Sequence, residues 1–417
     1  MLNLEALTGK RNRRELTGST TALFYQTEEC KGLLEEAMKF EGMDTPFSQE
    51  CTDTQVADAI TGVESHLLLI EVANDIVDVA KRIHPLVPRH TRVILVGRQD
   101  SILAMRTIGE IGFYYIYWPA TKEDIVAFLR KLKGDQVHNK GPQVMRSAKR
   151  IAVVAAKGGS GCTMVTTELA HSLVRETQQQ VIIADHGYHG SNMHIMLGQR
   201  NLPRRPISEE AQRHHTLGNM LDHVGAQSQL TQVNSKINYL GFEADTGTGE
   251  DMREYTSNIL EALRRDANFI IEDFSASVNF YPDPTWLCPA MDCVVVLVQP
   301  SLSSLHETRS FLEAFKRVNE QIDNPTRLIV MLNNCRPKAS IGVNAVEQYL
   351  QLTIDIELPY FKQCEEYLAA GKRFVSSRTS LTKPFINLSR QILGKPLKKS
   401  LFFSDRAKTS TRKRARA

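Results

Sequence analysis

Short, nearly continuous apolar runs recur along the chain, separated by longer stretches with helical or loop character. TALFYQ (21–26), HLLLIEV (66–72), RVILVG (92–97) and FYYIYW (113–118) are the first of these runs. A run that is apolar at successive rather than alternate positions is buried on both faces. That is the state of a parallel strand covered by helices. Glu28–Phe40 carries the helical spacing between the first two runs. About five strands at this spacing predict a doubly wound, flavodoxin-like parallel sheet over residues 20–133.

The stretch 134–149, GDQVHNKGPQVMRSAK, is polar, holds two glycines and a proline, and lacks an amphipathic period, so it reads as a linker. A second set of runs follows over 150–394. RIAVVAA (150–156), VIIAD (181–185), INYLGF (237–242), FIIED (269–273), CVVVLVQ (293–299) and RLIVMLNN (327–334) predict another parallel α/β sheet. Helical patterns separate most of them, including 163–176, 304–321 and 343–352. The Arg-, Pro- and His-rich stretch 199–215 reads as a surface loop, and no internal repeat is visible.

Composition narrows the class. The chain has 417 residues, 42% hydrophobic and 24% charged, which suits a globular protein of two or three domains. No apolar run approaches the roughly 18–20 residues of a membrane span. The N-terminal arm 1–19 has basic residues with no apolar core after them, so a secretory signal is not expected and the chain reads as cytoplasmic. Seven cysteines (30, 51, 162, 288, 293, 335 and 364) form no CxxC pair and no zinc-ligand spacing. Scattered and odd in number, they fit reduced thiols. Charge is uneven: residues 395–417 hold nine Lys/Arg against one Asp, within a net charge of +4. This basic tail reads as solvated and disordered, with contact to DNA or an anionic membrane as the alternative.

The chemistry concentrates at Lys157, Gly158, Gly159, Ser160, Gly161, Cys162 and Thr163, between a strand and a helix. Glycines there let main-chain N–H groups approach phosphate oxygens, and the helix N-terminus adds partial positive charge. Thr163 stands where a hydroxyl would ligate Mg²⁺. The usual phosphate-binding lysine is replaced by Cys162, which removes a cation from the β/γ-phosphates. The loop either still binds a nucleotide through its backbone and Mg²⁺ or is vestigial.

KGGSGCT after a strand resembles the deviant phosphate loop of the MinD/ParA ATPases. The resemblance implies ATP/ADP with Mg²⁺ as ligand, a P-loop NTPase fold of the SIMIBI class, and a homodimer in which Lys157 reaches the partner's nucleotide. VIIADHGYHGSNMHIMLG (181–198) is similar to a later segment of that family, with Asp185, Asn192 and Gly198 matching and Gly187 where a water-positioning aspartate is usual. FIIEDFSAS (269–277) resembles its Walker B stretch, with Asp273 implied at Mg²⁺ and Ser275 and Ser277 in place of Pro and Gly. Asn333 matches an adenine-contacting asparagine, and LPYFKQCEEYLAAGKRF (358–374) resembles a late family segment. Thr163, Asp185 and Asp273 are thus the implied metal residues, direct or through water. Losing the lysine and the second aspartate is expected to slow hydrolysis by orders of magnitude, leaving at most a weak ATPase.

The first block resembles a response-regulator receiver domain without its chemistry. Gln26-Thr27, with Glu28 beyond, stand where an acidic pair is needed; the third strand ends at Glu71, the fourth at Gly97, and the fifth at Trp118-Pro119, a turn that accommodates cis proline. Glu71 reads either as a fixed negative charge or as a buried structural group. A pseudo-receiver joined to a deviant MinD/ParA-like domain resembles the TadZ/CpaE-like proteins of tight-adherence (Flp) pilus systems. That family implies a localisation and assembly hub that dimerises, recruits pilus secretion machinery, and sits at a cell pole or the inner face of the membrane. The alternative is an active ParA/MinD-type ATPase in DNA partition or division-site placement. No helix-turn-helix supports a transcription regulator.

Overall fold

The structure, a computed structural model, describes residues 20–138, 147–207, 222–243, 249–275, 282–337 and 341–398. The first sheet holds β1 (Thr21–Tyr25), β2 (Phe47–Glu50), β3 (Leu67–Val72), β4 (Arg92–Gly97) and β5 (Tyr114–Tyr117). All are parallel, in the order β2-β1-β3-β4-β5 expected of a flavodoxin-like sheet. The sequence reading named four of these strands. β2, FSQE, escapes it because a short edge strand with only partial burial carries no apolar run.

The second sheet is built from β6 (Lys149–Ala155), β7 (Val181–Asp185), β8 (Arg205–Pro206), β9 (Thr231–Gln232), β10 (Ile237–Glu243), β11 (Phe269–Phe274), β12 (Cys293–Val298), β13 (Arg327–Asn333) and β14 (Ile356–Leu358). Its parallel path runs β14-β13-β12-β6-β11-β7-β10-β8, and β9 adds an antiparallel edge to β10. The chain is therefore α/β with two doubly wound parallel sheets. β6, β11, β12 and β7 lie at the centre and are buried almost throughout.

Some boundaries differ from the sequence reading. The helix Lys122–His138 runs into the stretch taken as linker, since one glycine among good helix formers does not stop a helix. Residues 139–146 of that stretch, 208–215 of the expected surface loop, and the arm 1–19 lie outside the described residues. Trp118–Pro119 is cis. The start of the basic tail is ordered. Lys395 is buried, with Nζ donating to Thr61 Oγ1 at 2.8 Å and 3.2 Å from Asp58 Oδ1. Lys398 Nζ lies 3.3 Å from Glu176. Acids on other elements hold Lys395 out of solvent where composition alone suggested solvation, while Lys398 stays exposed beside Glu176; residues 399–417 lie outside the described residues.

The two sheets share one apolar cluster, which includes Ile83, Leu86 and Val87 from the first block and Val181, Ile237 and Leu393 from the second. Polar side chains close the joint. Asn268 Nδ2 donates to Pro85 O (3.2 Å) and Val87 O (3.1 Å), and Gln179 Nε2 donates to Leu86 O (3.1 Å). Asn268 and Gln179 precede β11 and β7, so the first block rests on the N-terminal ends of the second sheet's strands. Arg390 adds ion pairs to Glu176 (2.7 Å) and Asp58 (3.7 Å).

Asn268→Ala removes the donor to two carbonyls at this buried joint. Urea denaturation is expected to show a loss of about 1–3 kcal/mol. A midpoint unchanged from wild type would show that the joint does not depend on this amide.

Candidate functional site

In an open parallel α/β sheet, ligands bind at the carboxyl ends of the strands, where crossovers diverge. Here the ends of β6, β7, β11, β12 and β13 bring together the Lys157–Thr163 loop, Asp185, Asp273, Gln299 and Asn333. Gly159 (φ +72°) and Gly161 (φ +94°) are left-handed, a conformation that turns successive N–H groups toward one concavity. A Cβ on Gly161 would stand 2.9 Å from Asn333 Nδ2. The helix Cys162–Thr177 begins at once and aims its N-terminus at the loop. It is anchored from behind by Ser172 Oγ, 2.7 Å from Ser389 Oγ and donating to Phe385 O.

Cys162 sits in the first turn, 4% exposed. Burial, reinforced by nearby Asp273, holds its thiol well above the ordinary cysteine range. It is a neutral, inward-facing group and supplies no positive charge. Lys157 is exposed, and its Nζ donates to Ser303 Oγ at 2.6 Å, just inside the helix Leu302–Asn319.

The two carboxylates are in register. β7 and β11 are parallel neighbours, and Asp185 pairs with Asp273. Both are buried. Asp185 Oδ1 accepts from Gly187 N (2.9 Å) and Oδ2 from the Tyr239 hydroxyl (3.0 Å). Asp273 Oδ1 accepts from Ser275 N (3.1 Å), while Oδ2 makes no hydrogen bond of ordinary geometry among the described residues. Burial first, and then the charge of Asp185, push Asp273 up to about 7, against the pull of the Thr163 hydroxyl and the Ser275 N–H. An unpartnered buried carboxylate oxygen beside a second carboxylate and a threonine suits a hard divalent cation. Mg²⁺ binds through one or two carboxylates together with phosphate and water. Among the described residues no three His, Cys, Asp or Glu side chains form a cage that would hold a metal by protein ligands alone.

Gly187 occupies a closed turn. A Cβ there would meet Gly190 O at 2.8 Å and Asp185 Oδ1 at 3.0 Å. Arg204 Nη2 donates to Gly187 O and, at 2.6 Å, to Phe242 O, pinning the turn to the end of β10. This turn has no room for a side chain at position 187. Asn192 caps the short helix Met193–Met196 without a side-chain hydrogen bond. Gly198 (φ +62°) lies under Arg373 Nη2. Ser277 lies outside the described residues.

Sequence reading missed a buried polar network built on the chain neighbour of each aspartate, Glu272 before Asp273 and His186 after Asp185. Arg150 Nε donates to Glu272 Oε1 at 2.8 Å, Glu272 Oε2 is 3.0 Å from His186 Nε2, and His186 Nδ1 is 2.6 Å from the Tyr188 hydroxyl. The Tyr188 hydroxyl lies 3.0 Å from Thr256 Oγ1, and the His186 ring stacks on Phe274 with centroids 4.1 Å apart. Burial alone would raise the Glu272 carboxyl; Arg150 and His186 outweigh it and hold it at about 2. The available signal was the charge itself, since Arg150 and Glu272 stand inside otherwise apolar strands. Tyr239 was also missed. It reaches Asp185 by lying over Gly241 two residues on, where a Cβ would collide with its ring.

In the first sheet, Glu71 and Asp53 are spent on main-chain capping. Glu71 is buried and accepts from Gln26 N (2.7 Å), Thr27 N (2.8 Å) and Thr27 Oγ1 (2.7 Å). Asp53 accepts from Gln26 Nε2, Ala73 N and Asn74 N. Both acids close the β1 and β3 loops.

Residues 148–328 match the family model described as an AAA domain. No curated protein matches the sequence. Similar solved structures include a ParA family ATPase from Chlorobium tepidum TLS, 18% identical over 58% of this chain and 98% of that one, TM-score 0.47. The septum site-determining protein MinD complexed with Mg-ADP from Pyrococcus horikoshii OT3 is 16% identical over 59% of this chain and 96% of that one, TM-score 0.45. The MinC:MinD cell division protein complex of Aquifex aeolicus is 16% identical over 61% of this chain and 98% of that one, TM-score 0.46.

Asp273 gives the site a pH signature. Between about pH 4 and pH 7 the folded chain keeps a proton that the unfolded chain releases, so ligand-free stability falls as pH rises through that window and levels off above it. Thermal unfolding from pH 4.5 to 8 is expected to show this slope in wild type and a flatter one in Asp273→Asn; equal slopes would rule the origin out. Glu272→Ala strands Arg150 as a buried, uncompensated charge. It is expected to cost about 3–5 kcal/mol in denaturant unfolding, and a loss under 1 kcal/mol would contradict that account.

Proposed function

We propose that this chain binds ATP with Mg²⁺ through Lys157–Thr163, Asp185, Asp273 and Asn333, and works as a self-associating localisation and assembly factor with weak or no hydrolysis. The observation that carries the reading is the pairing of a formed phosphate-loop bend and an acid pair with two missing catalytic parts. Cys162 is a buried thiol with no cationic charge, and Gly187 has no space for a water-orienting carboxylate. Binding parts are kept and turnover parts are gone.

In this reading the chain is a deviant MinD/ParA-type protein. ATP, when bound, supplies phosphates that complete the coordination of Mg²⁺. Thr163, Asp185 and Asp273 hold the cation directly or through water, and the loop N–H groups hold the phosphate chain. Lys157 leaves Ser303 to meet the nucleotide of a second copy. The receiver-like first block, whose acids are committed to capping, serves protein contacts. Together these features support a TadZ/CpaE-like role in a tight-adherence pilus system, in the cytoplasm at a cell pole or the inner face of the membrane. Among the described residues no helix is long and apolar enough to cross a membrane.

Light scattering after size exclusion, with and without ATP-Mg²⁺, tests the reading. The wild type is expected to shift from monomer to dimer with ATP-Mg²⁺. Thr163→Ala is expected to lower Mg-ATP affinity roughly tenfold or more, as loss of a ligand to a charged group does. Lys157→Ala is expected to keep binding and lose the dimer. A monomer in both states sinks the nucleotide-gated dimer; turnover at several per second would favour an active partition-type ATPase instead.

A further inference from the structure

We propose that Gln299 and Asn333 are positioning residues that brace the phosphate loop, orienting its N–H groups so that a backbone cradle replaces the missing lysine. The inference rests on the nucleotide-binding reading above and adds how the phosphates are held.

Gln299, at the end of β12, donates from Nε2 to Gly159 O at 2.9 Å. Asn333, at the end of β13, donates from Nδ2 to Ser160 O at 2.9 Å. These are consecutive carbonyls. In a trans peptide the C=O and the following N–H point in opposite directions. Pulling Gly159 O toward Gln299 therefore turns the Ser160 N–H the other way, and pulling Ser160 O toward Asn333 does the same for the Gly161 N–H. Neither N–H has a hydrogen-bond partner among the described residues. Ser160 is 2% exposed, so its N–H is a buried donor left without an acceptor, a costly state unless a ligand fills it.

The brace is itself anchored. Gln299 N donates to Ser304 Oγ at 3.1 Å, and Ser160 Oγ donates to Lys157 O at 2.6 Å. Asn333 is 7% exposed and fits against Gly161, where any Cβ would displace its amide. With a neutral Cys162, the main-chain donors carry the phosphate contact, and their value depends on being held in place before the ligand arrives. In the ligand-free chain the Asn333 amide nitrogen is engaged with the loop.

Isothermal titration with Mg-tripolyphosphate and with Mg-ATP separates this from base recognition. Gln299→Met and Asn333→Leu are expected to weaken both ligands alike, each roughly fivefold to tenfold, the worth of one hydrogen bond. The ligand-free unfolding midpoint of Gln299→Met, a half-exposed site, should stay at the wild-type value. In wild type the Ser160 and Gly161 amide proton resonances should move on adding tripolyphosphate; in the variants that movement should shrink. Tripolyphosphate affinity unchanged in both variants, with only ATP weakened in Asn333→Leu, would overturn the brace and leave Asn333 as a base contact. Wild type binding neither probe would overturn the nucleotide reading and the brace with it.

Discussion

Two carboxylates in register on adjacent parallel strands set the terms for everything around them. Asp185 and Asp273 face each other at the ends of β7 and β11, both out of solvent. Like charges that close cannot both ionise cheaply in a buried place. The surroundings divide the burden unequally. Asp185 receives a main-chain N–H and a tyrosine hydroxyl, while among the described residues one oxygen of Asp273 has no donor. Tyr239 reaches its acid only because Gly241 has no side chain beneath the ring, and the Gly187 turn can donate its N–H only by closing tightly. The acid pair therefore explains the local sequence on three strands.

Behind it lies a second pairing. Arg150 and Glu272 lie on neighbouring strands, where opposite charges at close register positions meet across the ladder. Their ion pair fixes β6 to β11 immediately below the loop and the acid. His186 and Tyr188 extend it toward the helix Gly249–Leu263 through Thr256. A buried ion pair adds little net stability compared with apolar packing, but breaking one side is expensive. A shifted alignment of these two strands would separate Arg150 from Glu272 and leave a buried charge unpaired.

Much of this was legible in the sequence. Strands buried on both faces announce themselves by unbroken apolar runs, so β6, β7, β11, β12 and β13 were found nearly to the residue. The phosphate loop was legible because glycine spacing reflects main-chain geometry. What stayed hidden depends on contacts between distant residues. Gln299 looks like the polar end of a strand run until Gly159 O is seen beside it. Asn268 and Gln179 look like turn residues until the Pro85–Val87 turn arrives. Gly187 could be read as a missing aspartate, but the closeness of Gly190 O that excludes any side chain could not. β2 was hidden because its burial is partial, and Lys395 because its acid lies more than three hundred positions away.

The joint between the two sheets has a geometric consequence. The first block meets the N-terminal ends of β7 and β11, and the loop sits at their carboxyl ends, a strand length of roughly 15–20 Å away. The two faces are therefore back to back. A ligand at the loop and the first block thus sit at opposite ends of the same central strands.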